Sequence, residues 1–390
     1  MNRVDVQIAL HAFLYQRFVT VPAPIQKTFV TGSVLFICHR AGDREMLDLT
    51  VGSNVDPLKI VSIGGGSGLS TLLRGLKRYA KAGHGAVKIT AVVTVTDDGG
   101  SSGRLRRDFD VLPPGDIRNC MVALSEDETL LSKLFQYRFA SGRGLKGHSF
   151  GNLFLTAMTQ LTGDFAAAVS QSCEVLAALG RIYPSTAANV ALEATLANGT
   201  KVLGETRISR SKSRIEKIAL RPRKPKPLED TLAAIAEADL ITLGPGSLFT
   251  SVIPNLLVDG IPRAIESSKA LKVYFVNLMS QPGETTNFRA SDHVSAILRH
   301  AGGRRVIDVC VLNSRSIRGK ALARYRAHEA RPVENDVDAL KKLGIKVVEA
   351  DLLRKSAVNP QEKIRHDQGA LGAVVLELAG HGRYARIKTA

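Results

Sequence analysis

A glycine-rich run, Gly64-Gly65-Gly66-Ser67-Gly68, interrupts the apolar stretch Ile60-Val61-Ser62-Ile63 and precedes a helix-patterned segment over residues 69–76. Strand, glycine turn and helix in that order bring bare backbone N–H groups up to a phosphate. Glycine permits both the close approach and positive φ. Gly65, Gly66, Ser67 and Gly68 are therefore candidates for cradling a phosphorylated ligand, in the first instance a nucleotide. The dinucleotide fingerprint is not met, because its third glycine position holds Leu69 counted from Gly64 and Thr71 counted from Gly66. No Lys-Ser/Thr pair closes a Walker A loop. Read alone, the glycines also fit a tight strand-to-helix connection without a ligand.

Further residues of the same character follow. Asp97 and Asp98 are adjacent carboxylates at the end of an apolar run. They could hold ribose hydroxyls or a phosphate-bound Mg²⁺, or simply form an acidic turn. Next to them Ser101 offers a hydroxyl and Arg104 a guanidinium fork for phosphate. Asp116, Arg118 and Asn119 could read a sugar or base edge, with Asp116 alternatively a helix cap. His148 stands in a glycine-flanked stretch with Asn152; it could hydrogen-bond a phosphate, act as acid or base, or be structural. Gly246 and Ser247 form a second anion-binding turn of the same type as the first. Asn277 and Glu284 close a third strand end, where Glu284 could bind sugar hydroxyls or a metal, or cap a helix. Asp97, Asp98 and His148 are the candidate catalytic groups. Asp97 and Asp98 are also the candidate metal ligands, Mg²⁺ being the cation they would suit; no other cofactor is indicated. No nucleophile–base pairing is legible.

These residues need elements to hold them. Residues 87–95 form a near-continuous β-branched run, the pattern of a parallel strand buried on both faces. Residues 239–243 and 272–278 repeat it, and residues 228–238 have helical spacing. Alternating strands and helices predict a Rossmann-like three-layer α/β/α fold with a mainly parallel sheet, whose ligands bind beyond the carboxyl ends of the strands. Residues 191–206 read as a hairpin around Asn198-Gly199, with a type I′ turn, inside a small antiparallel β insertion at about residues 186–227. Helices are expected after Phe150 and over residues 165–179. Residues 1–56 read as a poorly ordered extension, with translation starting at Met46 as one hypothesis; the nucleotide-binding domain is assigned to residues 57–390.

The chain has 390 residues and a formal charge of +17. Charge concentrates at residues 207–227, with nine basic residues against one acidic, Glu216, and again between Arg315 and Arg331. An acidic partner or a solvated surface would each suit such runs. Trp is absent and aromatics are few, so nucleic acid is disfavoured as a partner. Four well-separated cysteines make no zinc pattern. No apolar run is long enough for a membrane span and no secretory signal is visible, so a cytoplasmic location is expected. A homodimer is left open, as is the partner of the basic proline-rich segment.

The blocks GGGSGLSTLLRGLK, VTVTDDGGSSGRLR, PPGDIRN, GHSFGNL, ADLITLGPGSLFTSVIPNLLV and FVNLMSQPGET occur in order between about residues 59 and 300, with a weaker match at Ile364-Arg365-His366-Asp367. Together they resemble the YvcK branch of the CofD-like proteins, the gluconeogenesis factors. Ser67 stands where that family commonly has Thr, and residues 1–56 and the basic proline-rich segment lie outside its pattern. The resemblance implies a Rossmann-type α/β protein that binds UDP-sugars, notably UDP-N-acetylglucosamine. It also implies a regulatory role needed for normal cell shape on gluconeogenic carbon sources. The transferase branch implies the alternative: moving a phospholactate group from a guanosine diphosphate-linked donor to a deazaflavin acceptor, releasing GMP and using Mg²⁺.

Overall fold

The computed structural model describes residues 26–30, 33–37, 46–49, 56–82, 86–126, 130–211, 213–354 and 363–389. The chain divides into two units, Met1–Asp56 and Pro57–Ala390. The first contains a three-stranded antiparallel sheet of β1 (Gln26–Val30), β2 (Ser33–Ile37) and β3 (Met46–Leu49). The expectation of a poorly ordered extension otherwise falls on residues outside those described.

In the second unit the strands are β4 (Leu58–Gly64), β5 (Val87–Val93), β6 (Arg181–Pro184), β7 (Ala191–Leu196), β8 (Lys201–Leu203), β9 (Ile215–Arg221), β10 (Leu240–Leu243), β11 (Leu271–Phe275), β12 (Val309–Asn313) and β13 (Lys346–Ala350). Seven of them form one sheet, ordered β13-β12-β11-β10-β4-β5-β6, with every neighbouring pair parallel. Helices cover both faces, giving the expected α/β architecture. Ile60, Ile63, Val92, Val93 and all four residues of β10 are buried, as continuous apolar runs in a two-sided parallel sheet must be. From β4 the chain builds outward to β5 and β6, then returns to lay β10 on the other side of β4. The strand order thus reverses at the β4–β10 pair. The loops leaving these two strands diverge and open a crevice, which is where open α/β sheets bind ligands.

The antiparallel insertion is present as β8-β7-β9. Its hairpin turn corrects the expectation of a type I′ turn. Gly199 N–H bonds Leu196 O, Leu196 N–H bonds Thr200 O, and only Gly199 among residues 197–199 has positive φ, at 79°. This is a three-residue loop closed by a left-handed glycine. The basic segment is not one exposed loop. It starts in the short helix Glu205–Ser209, and its middle forms strand β9, where Arg221 pairs bidentately with Glu193. Beyond the strand, the carbonyls of Pro225 and Lys226 accept from Asp259 N–H and Thr186 Oγ1.

Candidate functional site at the sheet switch point

Strand β4 runs through Gly64 and helix α1 (Gly66–Ala82) begins two residues later, so the expected glycine loop shrinks to one residue, Gly65. The first turn of α1 is itself Gly66-Ser67-Gly68. Its leading N–H groups have no partner within the helix and carry the positive end of the helix dipole. The glycines are enforced by their neighbours. A Cβ on Gly68 would stand 2.2 Å from Pro245 O, and one on Gly65 would stand 2.6 Å from Thr94 Cγ2 and 2.7 Å from Asp116 Oδ2. The turn after β4 and the turn after β10 are thus pressed together, main chain against main chain.

The second turn, residues 245–247, leads into a π-helical turn, Leu248–Val252, where Val252 N–H bonds Ser247 O at 3.0 Å. Such turns recur at functional sites. Buried Asn255 fixes the two turns relative to each other, its side-chain N–H₂ donating to Gly64 O and to Ser251 O. After β11, Gln281 donates to Ser247 Oγ at 2.8 Å. The result is a cleft of about 420 Å³. Gly65, Gly66, Ser67, Gly68, Asp116, Gly246, Ser247 and Asn277, all candidates from the sequence, line it.

Asp116 sits at the start of helix α3, after helix α2 (Gly100–Phe109); α3 spans Gly115–Leu124. Its carboxylate accepts from Gly66 N–H, yet burial and then the nearby Asp97 push its pKa up to about 7. Glu205, in the first turn of the short helix Glu205–Ser209, also lines the cleft. Burial, with Asp97 next, raises its pKa to about 9. Asp97 and Asp98 part company. Asp97 Oδ1 accepts from Gly99 N–H, whereas Asp98 Oδ1 accepts from both Thr206 N–H and Thr206 Oγ1, capping that short helix. Among the described residues no group of three or more His, Cys, Asp or Glu side chains is arranged to hold a metal ion. The mutual repulsion of Asp116, Glu205 and Asp97 nevertheless suits the common arrangement in which one or two carboxylates share a Mg²⁺ with ligand phosphates.

The remaining sequence candidates gather elsewhere, in a hydrogen-bonded network between α2, α3 and α4 (Phe150–Thr162). Ser101 Oγ and His148 Nδ1 are 3.0 Å apart. Arg118 donates to Ser149 Oγ and to Asn119 Oδ1. Ser149 caps α4 by accepting from Asn152 N–H, and Asn152 donates to Ser102 Oγ. Arg104 donates to Lys146 O. Burial, then Arg104, lowers the pKa of His148. Glu284 lies outside the cleft too, buried beside Thr250 and Ser209.

Several cleft residues were not singled out from the sequence: Glu205, Lys363, Arg365 and His366 line it, and Asn255 braces it. Glu205 follows the β8 strand with no motif of its own. Lys363 and Arg365 come from a segment nearly three hundred residues after the first turn, a distance no local pattern reveals.

A family model described as 2-phospho-L-lactate transferase CofD matches residues 60–353. The gluconeogenesis factor of Bacillus subtilis is 45% identical over 320 residues, covering 82% of this chain and 98% of the relative. That of Halalkalibacterium halodurans is 46% identical over 318 residues, covering 82% and 95%. A crystal structure of a UPF0052-family protein from Bacillus halodurans superposes with a TM-score of 0.77 at 44% identity, covering 83% of this chain and all of the other. Among the described residues no helix is long and apolar enough to cross a membrane. With its matched region spanning every strand of the main sheet, the chain belongs to the CofD family and is similar to the gluconeogenesis factors within it.

Proposed function

We propose that the protein binds a nucleotide-diphosphate sugar of the UDP-N-acetylglucosamine type in the switch-point cleft. By this reading it acts as a cytoplasmic regulator that couples carbon metabolism under gluconeogenic growth to cell shape. One observation carries the reading: two glycine turns touch at Gly68 and Pro245, so the open N-terminus of α1 and the Ser247 turn face one space. A diphosphate is the ligand that two adjoining anion-binding turns suit. Lys363 and Arg365 supply positive charge at the same cleft. Asp116 and Glu205 would hold a Mg²⁺ arriving with the phosphates, whose contribution is to offset phosphate charge. Asp116 also orients the first turn of α1 through its bond from Gly66 N–H.

Calorimetric titration of the full chain with UDP-N-acetylglucosamine, other UDP-sugars, GDP and NAD tests the reading. Micromolar binding of the UDP-sugar and none of NAD is expected; a preference for NAD sinks it. The second reading, transfer of a phospholactate group, draws on the description of the matching family. Incubation with the guanosine diphosphate-linked donor and the deazaflavin acceptor, followed by assay for GMP, separates the two. The buried His148 lies in the network and not among the residues of the cleft, which favours a binding role over one using that histidine as acid or base.

A further inference from the structure

A second cavity, of about 550 Å³, opens between the loop after β11 and the segment following the short helix Glu205–Ser209. Gly283, at φ +84°, lets the two segments meet, since a Cβ there would stand 2.0 Å from Ser211 O. Glu284 forms part of the wall and is only 4% exposed. Its Oε1 receives long hydrogen bonds from Thr250 Oγ1 at 3.3 Å and Ser209 Oγ at 3.4 Å. Its Oε2 is buried and has no partner in the hydrogen-bond geometry of the described residues, although Phe249 N–H also approaches the carboxylate. A carboxylate oxygen in that position carries a desolvation penalty unless a donor reaches it.

The other lining side chains indicate what the donor belongs to. Ser209, Thr286 and Asn287 present hydroxyl and amide groups. Phe288 is the lone aromatic ring, and the Arg214 guanidinium lies over it, 5.5 Å from the centroid. A stacking face for a nucleobase is therefore already covered, while hydroxyls, an amide and an acceptor carboxylate are what a polyhydroxylated ring requires. The same two chain segments contribute to both linings. Gln281 lines the cleft and the next three residues line the cavity. Glu205 lines the cleft and Ser209 the cavity, one helical turn or about 6 Å along the same helix.

We propose that this second cavity receives the sugar ring of the nucleotide sugar, with Glu284 Oε2 accepting from a ring hydroxyl or amide N–H. The inference rests on the diphosphate reading of the cleft. The two are separated by titrating UDP and UDP-N-acetylglucosamine in parallel against the full-length wild type, Glu284→Gln and Ser209→Trp. Position 209 is exposed, so the tryptophan can fill the cavity at the cost of one long hydrogen bond to Glu284, and it keeps the test decisive if Glu284→Gln fails to fold. Expected is a loss of about tenfold or more in UDP-N-acetylglucosamine affinity in both variants, the scale of one hydrogen bond to a charged group, with UDP affinity held within about twofold. If UDP and the UDP-sugar weaken in equal proportion, the base end occupies the cavity and the proposal is overturned. Unchanged binding of both by Ser209→Trp overturns it as well. If the wild type binds the UDP-sugar but UDP itself not at all, the diphosphate reading fails instead; if it binds neither, both fail.

Discussion

The switch-point cleft and the network around His148 are built from the same vocabulary of glycine, serine, aspartate, asparagine and arginine, and they end in opposite states. In the network, side chains answer one another: Ser101 with His148, Arg118 with Ser149 and Asn119, Asn152 with Ser102. In the cleft, main-chain donors of α1 face open space and the carboxylates of Asp116 and Glu205 crowd together. The difference lies in the backbone. Where Gly65 and Gly68 let two turns touch, Asp116 accepts from Gly66 N–H, and the leading donors beyond it stay available to a ligand. Where α2, α3 and α4 meet, the same residue types bond mainly to one another, with Arg118 Nε and Asn152 Oδ1 left without a partner among the described residues.

The sharpest way to break this contrast is Gly68→Ala. The added methyl carbon has nowhere to go but into Pro245 O, at 2.2 Å, against backbone that cannot swing aside. Parting the turns should cost about 1–3 kcal/mol in stability, as overpacking does. Binding of a nucleotide diphosphate should fall by more than about 100-fold, because both anion turns move. Chemical denaturation and calorimetry on the same preparation would read the two effects. Retention of full affinity would show that the touching turns are not the site.

Arg118→Met is the complementary change in the network. It removes hydrogen bonds from a guanidinium to Ser149 and Asn119 and leaves both acceptors short of a donor. Such bonds are worth about 1.5–3 kcal/mol, so the midpoint of denaturation should drop by that order. UDP affinity should move by no more than about threefold. An affinity loss far exceeding the stability loss would move Arg118 from the scaffold into the site.

A smaller effect tests the charge of the cleft. The pKa of Asp116 is raised to about 7 from the ordinary 3.8, by burial and by Asp97, against the opposing pull of Gly66 N–H and Arg118. It therefore binds a proton more readily in the folded protein, and is largely neutral at pH 6 and ionised at pH 8. Ionisation places a negative charge beside the phosphate turn. In metal-free buffer, UDP should bind about tenfold more weakly at pH 8 than at pH 6, the scale of one pKa unit of differential interaction. Glu205, with a pKa near 9, adds a further decline above that range. Asp116→Asn should flatten the profile between pH 6 and 8. A profile unchanged by that substitution would remove Asp116 as its cause.

Much of this was legible in the sequence, unevenly. The parallel core strands announced themselves through runs such as residues 87–95, because burial on both faces leaves no polar positions. The glycine turns were legible because their function is backbone geometry, which glycine alone permits. Strands β6, β12 and β13 were not identified from the sequence. Two are edge strands, and β13 has half-buried or exposed residues throughout, so the apolar run is diluted. Side-chain candidates were harder still. Asp97 and Asp98 are neighbours in sequence, but an extended backbone sends alternate side chains to opposite sides, and only coordinates show that Thr206 claims Asp98. Glu205 reaches the cleft by tertiary folding from a motif-poor segment, and Lys363 and Arg365 from a distant one whose weak block, residues 364–367, gave no hint of its place in the fold.

His148 gives the subtlest test of the comparison. As sequence it reads as an acid–base candidate; as structure it is 5% exposed and hydrogen-bonded to Ser101, and burial and Arg104 lower its pKa. The lowered pKa means that its folding contribution is lost as pH falls: below the ordinary value near 6.5 the unfolded chain takes up a proton that the buried imidazole resists. Replacing it with Gln, which keeps a polar group within reach of Ser101, should change stability at pH 8 by about 1 kcal/mol, one neutral hydrogen bond. It should leave UDP affinity within about twofold. The same variant should also lose less stability than the wild type between pH 7 and pH 5, because one titrating group is gone. A histidine poised for chemistry would behave otherwise: GMP release, if the transferase assay detects any, would collapse in the variant while folding stayed intact, and the network would then be part of the active site.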